Sequence, residues 1–112
     1  FDFKVANNRL IPFGETLQLH FEVYNLMRQA DGFTHFEMTY RILPVDEQGN
    51  IRRDQSEFVL TLNFTNETTI VRENLQIETA NLNPGFYELV VSILDTESNQ
   101  NKERKIRFEV VE

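Results

Sequence analysis

The stretch "LNPGFYELVVSILD", residues 82–95, carries the strongest indication of the fold. A turn signal, Pro84-Gly85, leads directly into a largely apolar alternating run that begins near Tyr87. A tyrosine in this position can bury its ring and donate its hydroxyl to the backbone a few residues upstream, which closes a tight corner between two sheets. We therefore predict that Leu82 plugs the core, that Pro84 and Gly85 make the turn, and that Tyr87 closes it.

The alternative for the same stretch is an ordinary hairpin start with a half-buried tyrosine. The pattern L-x-P-G-x-Y-x-L-x-V is similar to the corner of immunoglobulin-like and fibronectin-type-III-like domains. Val90 and Leu94 add apolar residues to the second face of the run. They predict a central strand whose outer face is partly covered.

Apolar and polar residues alternate along most of the chain, as in "TLQLHFEVY" (16–24) and "HFEMTYRIL" (35–43). A period of two places successive side chains on opposite faces of a sheet. The pattern predicts an all-β, immunoglobulin-like or fibronectin-type-III-like antiparallel β-sandwich of about seven strands, in one domain spanning residues 1–112. The predicted strands lie near residues 2–6, 15–25, 34–43, 58–64, 74–79, 86–94 and 104–111.

Two segments carry more specific predictions. "EQGN" (47–50) predicts a hairpin after Pro44. In "TTIVRENLQIET" (68–79), Ile70 has even parity whereas Leu75 and Ile77 have odd parity. A bulge or break near residues 72–74 would reconcile the two.

The composition narrows the classes of partner. The 112 residues carry 18 acidic and 11 basic side chains, a net charge of −7, which disfavours nucleic acid and anionic lipid surfaces. There are no cysteines, which excludes disulfides and thiolate chemistry. No apolar run approaches the roughly 20 residues that cross a bilayer, so no membrane insertion is expected. The chain starts at Phe1 inside strand-like sequence, and we expect it to be one domain of a longer protein, with any signal peptide or anchor outside it.

Catalytic and metal-binding patterns are weak. His20 and His35 both fall on the polar side of their predicted strands, which is typical of solvated histidines. No G-x-S-x-G elbow or glycine-rich phosphate loop is present. The sequence therefore predicts neither an enzyme nor a cofactor.

Two acidic turns are candidate chemical sites. The pairs Asp46 with Glu47 and Asp95 with Glu97 lie in turn-like segments without an evident apolar pocket. "DTESNQNKE" (95–103) resembles a calcium loop but lacks the glycine at its sixth position. Turn formation and solubility are the favoured interpretations, and no metal is predicted.

Four segments together resemble the carboxy-terminal β-sandwich portion of bacterial GWxTD-domain proteins. They are "LHFEVYNL" (19–26), "THFEMTYRI" (34–42), "LNPGFYELVVSILD" (82–95) and "IRFEV" (106–110). The tetrapeptide that names the family is absent here. The resemblance implies a non-catalytic accessory domain of an exported protein of the bacterial periplasm or cell envelope, with unassigned molecular function.

Two functional hypotheses follow. In the first, the domain is a structural or protein-interaction module that binds a neighbouring domain or another protein through loops 26–33 and 95–103, which should emerge at one end of the sandwich. Its candidate partner-binding residues are Leu26, Met27, Arg28, Phe33, Glu97 and Asn99. The alternative is that the apolar residues among them plug the end of the core.

In the second hypothesis, the domain is a carbohydrate-binding accessory module. Such modules stack sugars on exposed aromatic rings, and the candidates are Tyr24, Phe33 and Phe86. The absence of tryptophan counts against this hypothesis. A flat row of exposed aromatic rings on one sheet face would favour it, whereas burial of these rings would favour the first.

Overall fold

The computed structural model describes residues 1–52 and 57–112. Within those residues the chain forms eight strands and no helix. The strands are β1 (Asp2–Asn7), β2 (Leu10–Pro12), β3 (Leu17–Tyr24), β4 (Thr34–Val45), β5 (Phe58–Asn66), β6 (Val71–Ile77), β7 (Gly85–Asp95) and β8 (Gln100–Val111).

The strands form two sheets, which confirms the all-β, sandwich-like prediction. The small sheet has the order β1-β3-β6, and the large sheet has the order β2-β8-β7-β4-β5. Buried residues of both sheets share one hydrophobic core. Across the core, the ring of Phe21 on β3 packs edge-on against Phe36 on β4, at 6.3 Å, and against Phe64 on β5, at 5.7 Å.

The structure adds one strand, β2, to the seven predicted strands, and its pairing is not antiparallel as predicted. The described residues hold eight strands, and β2 pairs parallel to β8, with Leu10 opposite Glu109 and Pro12 opposite Val111. A three-residue strand is too short to show alternation. Pro12 in the sequence indicates a turn, although proline is tolerated on an edge strand such as β2.

The predicted bulge near residues 72–74 is also wrong. β6 pairs with β3 without interruption, from Val71 opposite Val23 to Ile77 opposite Leu17. Val71 and Ile77 are buried, whereas Ile70 is exposed just before the strand. The parity conflict disappears because Val71, and not its neighbour Ile70, enters the core. The strand therefore starts earlier than predicted, and β8 likewise starts at Gln100 rather than near residue 104.

The corner before β7 forms as predicted. The Tyr87 side chain is 4% exposed, and its hydroxyl donates a hydrogen bond of 2.6 Å to the carbonyl oxygen of Asn83. Its ring stacks on Phe108 at 5.4 Å. Leu82 is partly buried against the core, and Val90 on the outer face of β7 is buried. The outer face of this strand is therefore covered at Val90, as its second row of apolar residues predicted.

The predicted hairpin after Pro44 is present. The N–H of Asp46 donates to the carbonyl of Asn50 at 2.9 Å, and Val45 forms a bridge with Ile51. Gly49 has a φ of +88°, which favours glycine, and its Cα faces the guanidinium of Arg107 so closely that a Cβ would overlap it. The hairpin thus lies against β8 on the outer side of the large sheet.

Candidate functional site

Asp95, the last residue of β7, is a buried carboxylate that joins two loops. Its side chain is 1% exposed, and Oδ2 accepts a hydrogen bond of 3.0 Å from the N–H of Met27. Oδ1 accepts from the N–H of Glu97 at 3.1 Å and of Ser98 at 3.4 Å. The backbone donors offset the cost of burying the carboxylate. The loops therefore meet at one end of the sheets, as predicted for residues 26–33 and 95–103, although residues 100–103 belong to β8. We call loops 25–33 and 96–99 together the rim.

The first loop of the rim is closed by its own hydrogen bonds. The N–H of Gln29 donates to the carbonyl of Phe33 at 2.8 Å, and the N–H of Gly32 donates back to Gln29 at 2.9 Å. Arg28 Nη1 donates to the carbonyls of Gly32, at 2.8 Å, and Glu67, at 2.7 Å. Arg28 thus fastens the loop to the turn after β5.

The rim exposes some of the predicted partner-binding residues and buries one. Leu26 is only 3% exposed and belongs to the core, so it plugs the end of the sandwich. Met27 is 52% exposed and Phe33 is 36% exposed. In the second loop, Glu97 and Asn99 are both exposed. Two apolar side chains, flanked by polar groups, are therefore held on a closed loop.

His35, at the start of β4, is fixed beside the rim by both ring nitrogens. Nε2 lies 3.0 Å from Asp31 Oδ2, and Nδ1 lies 3.1 Å from Thr65 Oγ1. The N–H of Phe33 and then His35 hold the pKa of Asp31 below its ordinary value. The three polar side chains lie on an exposed surface. Water there would weaken the electrostatic stabilisation that these side chains could give to a charge developing in a reaction. Sequence patterns gave no signal for this contact, because Thr65 is on a different strand.

A second polar cluster lies on the outer face of the small sheet, centred on Glu22. Its Oε1 accepts from the hydroxyl of Tyr24 at 2.7 Å and from Arg72 Nε at 3.0 Å. Its Oε2 lies 3.4 Å from His20 Nε2 and 3.8 Å from Lys4 Nζ. The pKa of Glu22 is lowered to about 2. The largest cause is the hydrogen bond from the Tyr24 hydroxyl, and the basic neighbours add to it. A carboxylate this acidic stays ionised near neutral pH and is a poor proton donor or acceptor.

The register of the small sheet explains the Glu22 cluster. Lys4 and Arg72 pair directly with Glu22 from the two flanking strands. Opposite charges in directly paired positions stabilise a sheet. The arrangement is therefore that of a cross-strand ion-pair row.

The three aromatic rings proposed for sugar binding do not form one row. Tyr24 lies at the end of β3 in the small sheet, and Phe86 lies at the start of β7 in the large sheet. Phe33 is in the rim, beside the start of β4. Since β4 and β7 run antiparallel, Phe33 and Phe86 are at opposite ends of the large sheet.

An open groove lies at the end of the large sheet that is remote from the rim. Its volume is about 280 Å³, and its walls include Leu10, Val45, Phe86 and the side chains of Arg9 and Arg107. This volume is at the lower limit of about 300 Å³ for small-molecule sites. Acidic and basic side chains both line the groove, so its charge does not favour one class of ligand.

No group of three or more histidine or acidic side chains placed to hold a metal ion occurs in residues 1–52 and 57–112. Over the same part of the chain, no helix has the length and apolar character needed to cross a membrane. A comparison of the chain with protein-family models gave no match, and a comparison with the sequences of curated proteins gave none either.

Proposed function

We propose that this domain is a non-catalytic protein-interaction module whose binding surface is the rim. The single observation that supports this most strongly is the buried Asp95 carboxylate, which ties Met27 to the β7–β8 loop. A loop ordered before binding loses little conformational entropy when a partner docks. Exposed Met27 and Phe33 supply the apolar contacts that such a partner would bury.

The proposed fold type is immunoglobulin-like or fibronectin-type-III-like. Support comes from the tyrosine corner before β7 and from the strand neighbours β8-β7-β4-β5 opposite β1-β3-β6. In immunoglobulin folds the loops that follow the second strand and the sixth strand of the sandwich emerge at the same end, where many of these domains bind partners. The β3–β4 and β7–β8 loops of this chain are arranged in that way.

The parent protein is proposed to be an exported bacterial protein of the GWxTD-domain kind, located in the periplasm or cell envelope. The support is the resemblance of four segments, among them the corner stretch 82–95. The partner is then a neighbouring domain of the same polypeptide or another envelope protein. We further propose that the domain has no enzymatic role. The histidines and the Glu22 carboxylate lie on exposed sheet faces, which supports this. The scattered positions of Tyr24, Phe33 and Phe86 weigh against the carbohydrate-binding alternative.

Photo-cross-linking in the native host tests this proposal. A photoreactive amino acid replaces Met27 in the full-length protein, and the same amino acid replaces Gln76, an exposed residue of β6, as the control. We expect one recurrent adduct from position 27, in another protein or another domain of the same polypeptide, and none from position 76. Equal, scattered adducts from both positions, or none from either, would contradict a binding role for the rim.

A further inference from the structure

The β5 strand forms an open edge of the large sheet. One side of it pairs with β4, from Thr34 opposite Asn66 to Ile42 opposite Phe58. No strand of the described residues pairs with the other side. Phe58, Val59 and Leu60 are exposed at this edge. An open edge presents the N–H and C=O groups of alternate residues, which pair readily with another strand.

The other edges of the two sheets carry features that discourage pairing. β2 has only three residues and ends in Pro12. β1 carries Asp2 and Lys4, and β6 carries Arg72 and Glu73. By contrast, the nine residues of β5, "FVLTLNFTN", include no charged residue, no proline and no glycine. β5 is therefore the edge among the described strands that lacks a barrier to pairing.

We propose that β5 is a self-association edge, which pairs antiparallel with β5 of a second copy of this chain around a two-fold axis. An axis perpendicular to the sheet keeps each side chain on its own face, so residues of equal parity stand opposite each other. Centring the pair on Thr61 places Thr61 opposite itself, Leu60 opposite Leu62, and Phe58 opposite Phe64. The apolar row on the core side of β5 then continues across the axis.

The sequence of β5 favours a second copy as the occupant. The strand is uncharged, so a copy that carries the same net charge of −7 meets no like charge along it. The strand is also chemically self-complementary, because each apolar residue of its core side meets an apolar residue of the copy. A two-fold contact closes on itself, so association stops at a dimer. A single strand pair is a small interface, which makes this dimer weak and reversible.

Cysteine cross-linking tests the register directly, because the chain contains no cysteine of its own. Opposite residues in an antiparallel pair have Cα atoms about 4.5–5.5 Å apart, within the range of about 4.4–6.8 Å that a disulfide spans. We expect Thr61→Cys to form a covalent dimer under mild oxidation. The matched controls Asn63→Cys, two residues along β5, and Gln76→Cys, on the edge of the small sheet, should cross-link at least about tenfold more slowly, since neither residue stands opposite itself. Equal rates at the three positions would overturn the register.

Charge pairing supplies a second test that does not depend on oxidation. Thr61→Lys and Thr61→Glu each place like charges opposite each other and should abolish the dimer, whereas an equimolar mixture of the two should restore it. Sedimentation velocity measures association, and circular dichroism verifies that each variant is folded. A wild-type chain that stays monomeric at millimolar concentration, a dimer that persists in Thr61→Lys, or a mixture that stays monomeric would overturn the proposal. Substitution of Met27 should leave the dimer unchanged, so a failure here is distinguishable from a failure of the rim as a binding surface.

Discussion

Met27 and Asp95 are 68 residues apart in the sequence, and the N–H of Met27 donates a hydrogen bond of 3.0 Å to Oδ2 of Asp95. The same carboxylate accepts from the N–H groups of Glu97 and Ser98 through its other oxygen. One buried side chain thus sets the separation of two loops that the backbone ladder of the sheets does not join.

The first prediction concerns Asp95→Asn. The amide keeps the size of the side chain but replaces one acceptor oxygen with a donor, so at least one buried N–H loses its partner. We expect a loss of about 1–3 kcal/mol in the free energy of unfolding, measured in urea. Hydrogen exchange at the Met27 amide should accelerate with it. The control is Asp46→Asn, since Asp46 accepts from Gln48 and Asn50 in an exposed local turn and should cost less. Equal costs for the two variants would contradict a larger contribution from the long-range bond.

The second prediction concerns the corner. Tyr87→Phe keeps the ring on Phe108 but removes the hydroxyl that donates to Asn83. Because the hydroxyl is buried, its loss leaves a carbonyl without its donor, and we expect a cost of about 1–3 kcal/mol. Tyr24→Phe is the matched control and should cost much less, because Glu22 keeps Arg72 and solvent as partners. Urea unfolding of both variants decides the matter, and a Tyr87→Phe variant as stable as wild type would remove the corner's role.

The third prediction concerns the pH dependence of the Glu22 cluster. The pKa of Glu22 is lowered to about 2 in the folded chain, from an ordinary value of 4.5. A lowered folded pKa contributes stability that is fully present above about pH 4.5 and is lost as the pH falls toward 2. NMR titration of the Glu22 side-chain carboxyl should give a midpoint near 2. In Tyr24→Phe the midpoint should rise, because Tyr24 is the largest cause of the shift. A wild-type midpoint near 4.5 would contradict the cluster geometry.

The fourth prediction compares two glycines of nearly equal φ. Gly14 and Gly49 have φ values of +87° and +88°, but only Gly49 faces the Arg107 guanidinium, and a Cβ on Gly14 would meet nothing within 4 Å. Each Gly→Ala change should cost about 1–2 kcal/mol for the left-handed conformation. Since the Arg107 side chain is exposed at its end and can move, Gly49→Ala should exceed Gly14→Ala only slightly. A much larger excess in thermal unfolding would show that Arg107 is held in place over the hairpin.

The sequence predicted the parts of the fold that rest on local pattern. Alternation located the long strands, and a turn signal followed by a tyrosine located the corner at Tyr87. It failed at β2, because three residues carry no period, and at Ile70, because parity alone does not say which of two adjacent apolar residues enters the core. The position of β2 and the burial of Val71 both depend on pairing with distant strands, which the local sequence does not encode.

The candidate site was predicted only in outline. The sequence indicated that the two loops meet, but Asp95 read as an ordinary turn residue. Its burial depends on a hydrogen bond from Met27, which lies in the β3–β4 loop. The spacing of residues in the sequence does not predict this contact. Leu26 and Met27 are adjacent and both apolar, yet one enters the core and the other faces water. That division is set by the packing of the whole end of the sandwich.

In the proposed function, Asp95 joins the two loops into one interaction surface. The most direct test is the yield of the position-27 photo-adduct in the full-length protein, with and without Asp95→Asn. We expect the yield to fall several-fold in Asp95→Asn at equal protein abundance, while an Asp46→Asn control keeps the wild-type yield. An unchanged yield in Asp95→Asn would contradict this expectation, because the partner would then recognise Met27 without the rim that Asp95 holds together.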